Sequence, residues 1–92
     1  MKEKILTLHP EGKKGANISK EKYSAIKEFI ISTISKRKEI SYSELNDLAK
    51  KKLTKNFEGS VPWYLIIVKL DLEARKIIER IPNTSPHKLK LS

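Results

Sequence analysis

Residues 61–91, VPWYLIIVKLDLEARKIIERIPNTSPHKLKL, leave this chain few architectures. Ser60 can cap a helix that begins at Val61. Pro62 falls in its first turn, where a missing N–H costs nothing. IIERI then supplies Ile77, Ile78 and Ile81 to a first strand. The turn Pro82-Asn83-Thr84-Ser85-Pro86 follows, bracketed by two prolines that limit its conformations. HKLKL makes the second strand, with Lys88 and Lys90 on one face and Leu89 and Leu91 on the other. A long apolar helix therefore runs straight into a hairpin.

That helix is apolar on two sides. At about 100° per residue, Leu65, Val68 and Leu72 share one face with Val61. Trp63, Ile66, Ile67, Leu70 and Ala74 make the other, and Tyr64 lies between. The first face is expected in the core. The second must be covered by the N-terminal strand, by the hairpin or by another chain, because a helix apolar all round does not rest in water.

Two more helices are expected upstream. Ser19 caps the first, with Glu21 in its first turn, and Tyr23, Ile26, Phe29, Ile30 and Ile34 recur at helical spacing as a core stripe. Ile31 lies off that stripe. The helix fades into Ser35-Lys36-Arg37-Lys38, where positive charge suits the dipole. Glu39-Ile40-Ser41-Tyr42 suits a brief strand that pairs with the hairpin. Ser43 is expected to cap the second helix, with Glu44 and Asp47 in its first turn and Leu45, Leu48, Ala49 and Leu53 inward. Lys50, Lys51, Lys52 and Lys55 crowd its end, and Phe57 is expected to plug the core beneath the break at Asn56-Phe57-Glu58-Gly59. Ahead of all this, KILTL alternates like a strand, and HPEGKKGAN reads as a turn-rich loop. Gly12-Lys13-Lys14 lacks the strand–loop–helix setting of a phosphate loop. The division expected is a strand and loop over residues 1–18 and a main unit over 19–92, one domain in all.

Charge decides which partners come first. Twenty Lys and Arg against eleven Asp and Glu give a net charge of +9, which favours an anionic partner, nucleic acid first and then an acidic protein or a membrane surface. No cysteine is present, which fits a reducing cytoplasm and excludes thiolate chemistry. The longest apolar run is Trp63 to Val68, far short of a membrane span, and the N-terminus lacks a signal-peptide core. His9 and His87 have no second ligand at metal spacing, and no nucleophile elbow occurs. We therefore expect no enzyme, no cofactor, no metal and no small-molecule ligand.

Leu72-Glu73, followed by Ile78-Glu79-Arg80, resembles the end of the recognition helix and the first wing strand of winged helix-turn-helix proteins. Ile40-Ser41-Tyr42-Ser43-Glu44-Leu45 resembles the strand and cap before that family's second helix. LTLHPEGKKGANIS, GSVPWY and VKLDLEAR also look like a small bacterial winged-helix family of unassigned activity. The resemblance implies an α+β winged helix-turn-helix: three helices, a C-terminal β-hairpin wing and an additional N-terminal strand. It implies a small cytoplasmic double-stranded-DNA-binding protein of the transcription-regulator kind, led by phosphate contacts. The candidate nucleic-acid contacts are then Ser60, Tyr64, Lys69, Lys76, Arg80, Asn83, Thr84, Ser85, Lys88 and Lys90. The alternative is a protein-interaction winged helix whose dimer or partner surface is Trp63, Ile66, Ile67 and Leu70. Two departures from the DNA-binding pattern matter: Lys76 stands where a glycine usually follows the helix, and the helix carries Trp63, Ile66 and Ile67 where polar or basic side chains are usual.

Overall fold

The computed structural model describes residues 3–13, 15–83 and 87–92. They form an α+β fold of three helices and two small antiparallel sheets. Strands β1 (Lys4–Leu6) and β2 (Asn17–Ser19) pair, with Lys4 opposite Ser19 and Leu6 opposite Asn17. Helix α1 (Lys20–Arg37) follows, then β3 (Glu39–Ser41), α2 (Tyr42–Leu53) and a 3₁₀ turn at Thr54–Asn56. Helix α3 (Val61–Ala74) leads into β4 (Ile78–Ile81) and β5 (Lys88–Leu91). The second sheet has the order β3-β5-β4, so β5 is central and the short strand before α2 pairs with the C-terminal hairpin.

The core sits where the three helices meet this sheet. Tyr23, Ile26, Phe29, Ile30 and Ile34 are the buried residues of α1. They pack with Leu45 and Ala49 of α2, Val61, Leu65, Val68 and Leu72 of α3, and Ile40, Ile78 and Leu89 of the sheet. Ser19 and Ser60 cap α1 and α3 by accepting from the amides of Lys22 and Trp63. Leu48, Leu53 and Phe57 lie partly buried against the cluster.

Two boundaries differ from expectation. Ser41, not Ser43, caps α2, accepting from the Glu44 amide at 3.2 Å. The Ser-Tyr-Ser run offers two caps two residues apart, and the one that ends a paired strand is used. Asp47 consequently lies beyond the first turn. Asn17–Ser19, expected in a loop and at a cap, forms a strand because its partner β1 supplies the backbone bonds. Gly15 makes the approach possible, since a Cβ there would run into the Thr7 carbonyl.

Helix α3 ends in a Schellman turn. The Lys76 amide bonds the Glu73 carbonyl at 3.1 Å and the Ile77 amide bonds the Leu72 carbonyl at 2.9 Å. Lys76 takes φ 63°, the left-handed conformation that a glycine would adopt at no steric cost. Lys76 thus holds a backbone conformation that favours glycine.

Candidate interaction surface

The inner face of α3 follows the expected stripe, but one of its neighbours does not. Lys69, expected as a groove contact, is 0% exposed. It is turned between α3 and the hairpin side of the fold, with Nζ 3.3 Å from Glu73 Oε1 and 5.2 Å from the Tyr42 ring centroid. A lysine in that position cannot reach a duplex. Its Nζ has no hydrogen bond among the described residues, and neither has the buried Nε2 of His87. His87 stacks on the other partner of this cluster, Tyr42, with ring centroids 5.6 Å apart. Burial holds the Lys69 ammonium below its ordinary pKa, and Glu73 only partly offsets this. Burial also lowers His87, assisted by the charges of Lys69 and Arg80.

The other expected contacts are distributed as follows. Arg80 is exposed, and its Nε donates to Glu73 Oε1 at 2.9 Å. Lys88 and Lys90 are exposed but lie 3.5 Å from Glu39 and 3.2 Å from Glu79, carboxylates of the same sheet. Ser60 is occupied as the α3 cap. Tyr64 is half-buried between Phe57 and Trp63, with ring centroids 5.0 and 4.9 Å away, and Lys22 Nζ sits 5.1 Å from its centroid. Lys76 and Asn83 are exposed, both at positive φ. Thr84 and Ser85 lie outside the described residues. The structure therefore does not gather the expected cations into one open surface beside α3. Lys50, Lys51, Lys52 and Lys55 are a different matter: all four are exposed, and none makes an ion pair among the described residues.

The outer face of α3 is open at its N-terminal end. Trp63 is 47% exposed, and Ile66, Ile67 and Leu70 are half-buried. The N-terminal arm reaches only the C-terminal half. There the Leu8 amide donates to Asp71 Oδ1 at 2.8 Å. Two clefts remain between arm and helix. One of about 480 Å³ is shared by Leu70, Glu73, His9, Pro10 and Arg80. The other, of about 360 Å³, is shared by Ala74, Leu6, Leu8 and Pro10.

Residues 4–89 match the family of unknown function DUF6958. The chain belongs to that family. No curated protein and no solved structure matches it. The matched segment runs from the first residue of β1 to Leu89, the buried residue of β5, so it includes the arm as well as the three helices.

In this DUF6958 chain, sequence reasoning missed the residue that ties the arm down. Asp71 is 0% exposed. Its carboxylate accepts from the Leu8 amide, from the Tyr23 hydroxyl and from Arg75 Nε at 2.9 and 3.0 Å. Burial, followed by the bond to Asp71, pushes the Tyr23 phenol up to about 12. The i,i+4 spacing of Asp71 and Arg75 was the available signal, but such pairs are usually solvated. Lys69 had a signal too. It lies only about 40° around the helix from Leu65, closer to the core face than to Trp63. Among the described residues, no group of three or more His, Asp or Glu is placed to hold a metal ion, and no helix is long and apolar enough to cross a membrane.

Proposed function

We propose that this chain is a winged helix that binds another protein through the outer face of α3, rather than a reader of DNA. The element order supports the winged-helix reading: α1, a short strand, α2, α3 and then a hairpin whose last strand lies between the other two. The observation that carries the functional reading is the make-up of α3. Trp63 is exposed beside the half-buried Ile66, Ile67 and Leu70, and Lys69, the only Lys or Arg in the helix, is buried. Base recognition in the major groove needs donors and acceptors at the helix surface. An open apolar face is instead the mark of a protein contact. The absence of cysteine suits a cytoplasmic setting.

The four open lysines at the end of α2 favour a second, weaker reading, in which nucleic-acid phosphates dock there without base readout. One amide-shift titration with a mixed-sequence DNA duplex, at low and at physiological salt, separates the two. Under the protein-binding reading the amides of residues 61–74 stay in place, and any salt-sensitive shifts are confined to residues 50–55. Shifts centred on α3 and β4 that fade with salt would overturn it.

A further inference from the structure

We propose that the partner on the outer face of α3 is a second copy of this chain, docked with the two α3 helices antiparallel about a two-fold axis. This rests on the interface reading above and adds the occupant. The face carries a knob at one end and a hole at the other. Trp63 is the knob, 47% exposed near the helix N-terminus. The hole is the cleft of about 360 Å³ at the other end, where Ala74 meets Leu6, Leu8 and Pro10 of the arm. Trp63, Ile67, Leu70 and Ala74 fall within about 60° of arc on one side of the helix. Trp63 and Ala74 are separated by about 16 Å along the axis. An antiparallel two-fold therefore passes between Ile67 and Leu70 and sets each Trp63 over the other copy's cleft. Each copy gives one knob and one hole, so the contact closes at two and does not propagate.

The charge distribution selects the same surface. At +9, two copies repel wherever open lysines meet. On α3 the strip has no unpaired charge to offer: Lys69 is buried, Glu73 is paired with it and with Arg80, and Asp71 with Arg75; Lys13, which also lines the hole, is exposed and lies 3.1 Å from Glu11. The same contact covers Leu6 and Leu8, 59% and 45% exposed beside the hole, which with Trp63 are three of the four exposed large hydrophobic residues among those described.

Sedimentation equilibrium from micromolar to submillimolar protein, at physiological salt, tests the proposal. The mass should rise from 10.6 kDa toward twice that value. Trp63→Ala removes the knob and Leu6→Asp blocks the hole; neither residue is in the buried core, so each variant's monomer should keep the parent's native amide-shift pattern. Each should weaken association about tenfold or more, as expected for the loss of an aromatic anchor or its pocket. The two variants mixed should associate more tightly than either alone, because the mixed pair regains one intact knob and hole. A monomer at every concentration, or no recovery on mixing, would overturn the dimer. A photoreactive benzoylphenylalanine at position 66, irradiated in the producing cells, separates this failure from that of the interface reading. A product of twice the chain mass supports the second copy. A product of another mass overturns the second copy and leaves the protein interface standing. No product overturns both.

Discussion

Replacing Lys69 with methionine keeps an unbranched side chain in the same slot and removes the ammonium group. What the ammonium gains in place is small: one carboxylate at 3.3 Å without a hydrogen bond, and the face of Tyr42 at 5.2 Å. A desolvated cation over an aromatic ring contributes about 2 kcal/mol or somewhat more. Against this stands the desolvation of a fully buried ammonium, still several kcal/mol after relaxation. Glu73 is not stranded by the change, because Arg80 Nε remains 2.9 Å from it. Lys69→Met should therefore stabilise the fold by about 1–2 kcal/mol. Glu73→Gln should do the opposite, leaving a buried cation without its counter-charge and costing about 3–5 kcal/mol. In urea melts of a domain this size, where stability falls by about 1 kcal/mol per molar, the methionine variant's midpoint should rise by about 1–2 M. The pH dependence has a definite sign. The folded pKa of Lys69 lies below its unfolded value, so its contribution is favourable above the unfolded pKa and is lost as pH falls through the folded one. The gain from methionine should thus shrink as pH rises into alkali. A midpoint lowered by about 1 M in Lys69→Met, or a Glu73→Gln variant as stable as the parent, would refute the reasoning.

Asp71→Ala should cost about 3–5 kcal/mol, since it leaves Tyr23 and the Leu8 amide without their shared acceptor. Hydrogen exchange should show the Leu8 amide losing its protection first; unchanged protection there would contradict the assignment. Tyr23 keeps its proton longer in the folded state, its pKa lying near 12 against an ordinary 10.0. Its stabilisation is full below the unfolded value and falls as pH rises toward the folded one, by about 2–3 kcal/mol. Unfolding measured across that window should be flatter by this amount in Tyr23→Phe. Lys76→Gly should be neutral or stabilising by up to about 1 kcal/mol, as relief of left-handed strain outweighs glycine's unfolded-state entropy. A loss of stability in thermal melts would mean that the Lys76 side chain contributes contacts of its own.

The sequence was most informative where one periodic face met one core. The α1 stripe and the Ser19 and Ser60 caps follow from spacing and cap chemistry that need no distant partner. It was least informative where a residue's role depends on something remote. Asp71 is an ordinary helix-surface carboxylate until Leu8 comes to it from 63 positions away. Lys69 borders the core face of the helical wheel, but it is the approach of Tyr42 and the hairpin that closes over it. Lys88 and Lys90 alternate correctly along their strand, but whether they are open depends on Glu39 and Glu79 across the sheet. The outer face of α3 was legible as a surface needing a cover, and the arm proves to reach only half of it. Spacing along one helix cannot say how far an arm from elsewhere extends.

The pairing of β1 with β2 also fixes how the arm responds to force. Lys4 lies opposite Ser19, directly before α1, and the pairs proceed inward through Ile5–Ile18 and Leu6–Asn17 to the bond between Thr7 and Ala16. A pull on the chain ahead of β1, with the helices held, loads these pairs one at a time, like a zipper, and not all together in shear. The arm therefore peels at low tension until the load arrives at Leu8. There it meets the Asp71 carboxylate, which Tyr23 and Arg75 hold in place. Tension stops at the C-terminal half of α3, beside the apolar strip, so strain on the arm would be felt as a change in the shape of the hole.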